Sequence, residues 1–149
     1  MTTIFGTFYW TGDLPDGDDV GRAPKPVFSG DHGEQWQYMA TEPVIQRVCD
    51  ALRLDGAVTD LQDPNPEDHG WYTYFTVDGW TWFFCVQWVP NRDFENCFEF
   101  DARLCNNWWH RIIHRSVCNA QVHALGSVIA NALATANEIE GVAFNRRSA

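Results

Sequence analysis

Positive charge is scarce in this chain, and long apolar runs, paired cysteine motifs and phosphate-type glycine loops are missing. Ten Lys and Arg stand against twenty Asp and Glu over 149 residues, a formal net charge of −10. A field of that sign repels phosphates, so direct DNA or RNA binding is disfavoured. No stretch reaches the ~18 consecutive apolar residues of a membrane-spanning helix, and no membrane partner is expected. The opening "MTTIFGTFYWTGDLPDG" has neither a basic leader nor a long apolar core, so no signal peptide is expected. The five cysteines, Cys49, Cys85, Cys97, Cys105 and Cys118, are odd in number and irregularly spaced. That usage suits free thiols in a reducing compartment better than a disulfide framework, and a cytoplasmic location is the expectation. "GSV" and "GDHGE" lack the strand–turn–helix setting of a phosphate loop, and no cofactor is expected. No internal repeat, low-complexity tract or second domain is evident.

What the chain does contain is aromatic side chains. Eight Trp, ten Phe and four Tyr accompany a composition that is 45% hydrophobic and 20% charged. This is a globular balance, and the length suits one domain, residues 1–149, with a core large enough to fold without disulfides. The acids are unevenly placed. Residues 1–70 hold 13 acidic against 4 basic side chains, 71–107 hold 5 against 2, and 108–149 hold 2 against 4. Such a field speeds encounter with a basic protein, although acidic side chains also serve plain solubility.

Along the chain, "TIFGTFYW" reads as a first strand. The Gly, Pro and Asp that follow predict a long loop or arm over about 11–35, with "QWQYMA" as a short strand at its end. "TEPVIQRVCDALRLDG" predicts a helix with Thr41 as cap, Glu42 and Pro43 in the first turn, and a stripe of Val44, Ile45, Val48 and Leu52. From residue 107, Trp109, Ile113, Val117, Ala120, Ala124, Val128 and Ala132 recur at steps of three and four. This is one long amphipathic helix, or two joined near Ser116, capped by Asn106 or Asn107. "EIEGVAFN" is a last strand.

Residues 71–89, "WYTYFTVDGWTWFFCVQWV", centre on Asp78-Gly79, a strong signal for a two-residue hairpin turn. That turn sets Val77 opposite Trp80, Phe75 opposite Trp82 and Trp71 opposite Val86. Directly opposed residues share a face, so the tryptophans belong to one buried side. Tyr72, Tyr74, Thr76, Thr81, Phe83, Cys85, Gln87 and Val89 make the other. In "DFENCFEFDARL", alternation sends Phe94, Phe98, Phe100, Ala102 and Leu104 inward and Glu95, Cys97, Glu99, Asp101 and Arg103 outward. The second face is thus expected to be acidic and to carry tyrosines, whose rigid rings end in hydrogen-bonding groups.

Three kinds of chemistry compete for these residues. Glu99 and Asp101, two apart on a strand, would stand ~7 Å apart, a spacing that a carbohydrate-active or ligand-binding cleft could use. Cys105, His110, His114 and Cys118 have spacings that a zinc-supported domain could use. Arg111 and Arg115 interrupt them, however, and no acid follows His110. Asp63, Asn65 and Glu67 resemble the start of a calcium loop, but Asp68 occupies its obligatory glycine position. No catalytic set and no metal site is therefore assigned.

The fold expected is α+β, a mainly antiparallel sheet of four to six strands with two helices on the tryptophan face. The function expected is that of a non-enzymatic acidic inhibitor docking on a basic protein, such as a toxin or nuclease. Immunity proteins and phage anti-defence inhibitors exemplify the type. The binding residues expected are Tyr72, Tyr74, Gln87, Glu95, Glu99 and Asp101, with Asp13, Asp16, Asp18 and Asp19 as an auxiliary acidic arm.

Overall fold

The computed structural model describes residues 3–14, 32–67, 70–89, 96–105 and 115–145, with side chains from Met39 in the first helix and from Ala120 in the second. The elements are β1 (Thr3–Trp10), α1 (His32–Leu54), β2 (Val58–Thr59), β3 (Asn65–Glu67), β4 (Gly70–Val77), β5 (Trp80–Trp88), β6 (Cys97–Leu104), α2 (Arg115–Thr135) and β7 (Ile139–Asn145).

The central hairpin forms as its turn dictates. Asp78 and Gly79 have φ of 51° and 80°, the left-handed pair that a type I′ turn requires. Val77 pairs with Trp80, Phe75 with Trp82 and Trp71 with Val86. β6 continues this meander antiparallel to β5, β1 returns beside β6, and β7 closes against β1. The order is β2-β4-β5-β6-β1-β7, with β3 also on β4. The fold is α+β with an antiparallel sheet as expected, but among the described residues the sheet has seven strands. The surplus comes from β2 and β3, two- and three-residue pieces that share one edge of β4. Pro66 sits within β3, an edge position where a missing N–H is tolerated. At the opposite border the β1–β7 register slips between Thr7 and Tyr9, where Gly141 adopts φ of 62°. A β-bulge of this kind uses glycine for its left-handed residue.

The inner face buries Phe8, Trp10, Trp71, Phe75, Val77, Trp82, Phe84, Val86, Phe98, Phe100, Ala102 and Leu104. Trp80 and Trp88, at the ends of β5, are only half-buried. Rings of Phe98, Phe8, Phe100 and Phe84 run across three strands at centroid spacings of 5.9, 6.1 and 6.0 Å. α1 adds Val44, Ile45, Val48 and Leu52, and α2 adds Leu125, Val128, Ile129, Ala132 and Leu133. The two helices also touch one another. Arg47 of α1 bonds Glu138, just before β7, at 2.9 Å, and its guanidinium holds that carboxyl below the usual range.

Two readings of α1 are corrected. The helix starts at His32, so "QWQYMA" is helical and the arm cannot extend to residue 35. Thr41 is no cap: it lies in mid-helix and is fully buried. Pro43 suggested a helix start because proline favours a first turn. Here it is interior, where losing an N–H and crowding the preceding turn cost about 3 kcal/mol. Ala40, Thr41, Val44 and Ile45 are all buried around it, and that burial outweighs the cost. In α2, Ala120 is exposed and Ala124 half-buried; the covered stripe is Leu125, Val128, Ile129, Ala132, Leu133 and Ala136. Its helix is unbroken from Arg115 to Thr135. The proposed caps Asn106 and Asn107 lie outside the described residues. No helix among those described is long and apolar enough to cross a membrane.

Candidate binding face

Alternation leaves a second sheet face on the side away from both described helices. Its rungs follow from the strand registers. Tyr74, Phe83, Arg103 and Thr3 form one row, Tyr72, Cys85, Asp101 and Phe5 the next, and Gln87, Glu99 and Thr7 a third. Five of the expected binding residues, Tyr72, Tyr74, Gln87, Glu99 and Asp101, therefore share this face. All five are half-buried. Asp13 does not join them. It is exposed three residues past β1, and its carbonyl accepts the Trp10 indole N–H at 3.3 Å. Asp16, Asp18, Asp19 and Glu95 lie outside the described residues.

The face has two halves of different chemistry. On β4 and β5, Tyr72 stacks on Phe83 at 5.3 Å, while Tyr74 meets Tyr72 and Phe83 edge-on at 5.7 and 5.5 Å. These contacts fix three rings as one platform, each ring held by two neighbours. On β5 and β6, the Gln87 amide donates to Glu99, and Arg103 Nε donates to Asp101 Oδ2 at 2.6 Å. A depression of about 430 Å³ opens beside them, lined by Thr3, Phe5, Gln87, Glu99, Phe100, Asp101 and Arg103.

Cys85 sits between the halves. It is 4% exposed, and its thiol donates to Glu67 Oε1 of β3 at 3.2 Å. Burial first, and the Glu67 carboxylate second, push this thiol far above its ordinary range. Cys49 in α1 is pushed up to about 12, mainly by burial. The thiolate is the reactive species, and burial disfavours it at both positions. In native protein at pH 8, maleimide should label exposed Cys105 and leave Cys49 and Cys85 unmodified, as read by peptide mass mapping. Rapid labelling of Cys85 would show that β3 does not cover it.

The arrangement limits other chemistries. Glu99 and Asp101 project from one strand to one side, whereas glycosidic hydrolysis uses carboxyls flanking the scissile bond. Asn65 and Glu67 belong to strand β3, and Glu67 accepts from Cys85, so among the described residues they do not take up a loop with Asp63. Cys105 is exposed; His110, His114 and the Cys118 side chain lie outside the described residues. Among the described residues, no group of three or more His, Cys, Asp and Glu side chains could hold a metal ion.

Thr3 and Phe5 were not foreseen as members of the site. Alternation in "TIFGTFYW" separates them from Ile4 and Phe8, but only the pairing of β1 with β6 brings them beside Asp101. Arg103 was placed on the correct side without a role. No protein-family model, curated protein or solved structure matches the chain.

Proposed function

We propose that the chain is a non-enzymatic, acidic protein-binding inhibitor of the immunity-protein or phage anti-defence type, acting in the cytoplasm on a basic protein surface such as a toxin or nuclease. The observation that carries this reading is the shared face of Tyr72, Tyr74, Gln87, Glu99 and Asp101 on the side away from α1 and α2. Interfaces draw most of their energy from a few rigid aromatic anchors. The Tyr72–Tyr74–Phe83 platform has that character. The acids beside it supply charge complementarity, and the net charge of −10 supplies steering at a distance.

Capture from a source-cell lysate at low salt tests the reading with three immobilised chains. The wild type and an equally charge-shifted control, Glu42→Lys/Asp50→Lys on the exposed side of α1, should retain the same basic protein. Glu99→Lys/Asp101→Lys should retain at least about tenfold less of it, a loss of ~1.4 kcal/mol. Equal retention by all three would remove this face from consideration.

A second reading draws on the depression itself, whose volume of about 430 Å³ falls within the range of small-ligand sites. In that case a polar small molecule, rather than a protein, would occupy the acids.

A further inference from the structure

We infer that the depression between β1, β5 and β6 receives an arginine side chain presented by the basic partner. The inference rests on the docking-face reading above and names the contact at its centre. One oxygen of Glu99 is engaged by Gln87 and one oxygen of Asp101 by Arg103. The second oxygen of each carboxylate, and the amide oxygen of Gln87, have no donor among the described residues. Three acceptors thus belong to side chains lining one cavity. A guanidinium offers five N–H donors and no acceptor, so it matches such a lining without leaving a like group opposed.

Geometry and charge narrow the choice further. Neighbouring outward residues on a strand stand ~7 Å apart, a gap that a planar guanidinium bridges with a hydrogen bond of ~2.9 Å on either edge. An ammonium is a compact, strongly hydrated point and cannot fork across that gap. Phe5, opposite Asp101 across the β1–β6 ladder, contributes to the wall of the same cavity. Glu99, Asp101 and Arg103 give the lining a formal charge of −1, which one arginine cancels. The Arg103 Nε is already committed to Asp101, so the site favours a cation over an anion.

The test is an amide NMR titration of the full chain with acetyl-Gly-Arg-Gly-amide and its citrulline and lysine counterparts. The arginine peptide should give saturable shifts at Phe5, Gln87, Glu99 and Asp101. The neutral citrulline peptide and the lysine peptide should bind at least about tenfold more weakly. Glu99→Gln still accepts from Gln87 and keeps the fold, as its unchanged spectral dispersion will show, and it should weaken the arginine peptide about tenfold. Equal response to arginine and citrulline, or shifts confined to other surfaces, would overturn the inference. Its failure is separable from that of the docking face. If charge reversal abolishes lysate capture but the peptide produces no shift, the arginine receptor falls and the docking face stands. If the peptide binds while the reversed chain still captures the partner, the docking face falls.

Discussion

Phe100→Ala should lower the unfolding free energy by about 3–5 kcal/mol, the range for truncating a buried aromatic. Phe100 is 1% exposed and stacks on Phe8 and Phe84 at 6.1 and 6.0 Å, with Phe144 edge-on at 5.5 Å. Those three rings belong to β1, β5 and β7, so no single strand shift can close the hole left by truncation. Cavities that cannot collapse are the expensive ones. Against a typical domain stability of about 5–15 kcal/mol, the loss would leave the fold marginal. Phe100→Leu retains much of the volume and should lose about half as much. Urea denaturation of both variants checks the pair. A loss below about 1 kcal/mol for the alanine variant would mean that the phenylalanine row does not organise the core.

Gly6→Ala should be nearly as damaging for the opposite reason. A methyl at Gly6 would stand 2.3 Å from the Ala143 carbonyl oxygen and 2.7 Å from the Phe100 ring. A ring tip can give a little; a backbone oxygen in a paired strand cannot. β1 and β7 must therefore part locally, at a cost of about 1–3 kcal/mol for overpacking or somewhat more. Hydrogen exchange should accelerate first at the β7 amides paired to β1, while β4–β5 exchange changes little from the wild-type pattern. Stability within about 0.5 kcal/mol of wild type, the level of an ordinary surface change, would show that the strands are not so close.

The parts of this architecture that could be read from the residues are those that local geometry dictates. Asp78-Gly79 imposes one register, and that register assigns Trp71 through Trp88 to their faces before any tertiary contact is known. β6 follows because its alternation is clean. Local signals failed where distant burial decided the outcome. Pro43 reads as a helix start, yet contacts made by Ala40 and Thr41 carry the helix through it. β2 and β3 are too short to leave a periodic trace, and Pro66 argues against a strand at all. The candidate site shows the same division. That Tyr72, Tyr74, Gln87, Glu99 and Asp101 share a face was legible because they lie on consecutive strands. The place of Thr3 and Phe5 was not, because nothing local ties residue 5 to residue 101.

The two margins of the sheet bear on how such a molecule survives at high concentration. An open, regular strand invites other chains to add to it, the first step toward fibrils. Here one margin is occupied by the fragments around Pro66, and the other is twisted out of register at Gly141 with a carboxylate, Glu140, on its rim. Among the described residues, neither offers a long regular edge. Copies of the same chain therefore gain little by joining edge to edge, and the aromatic platform keeps its own face of the sheet.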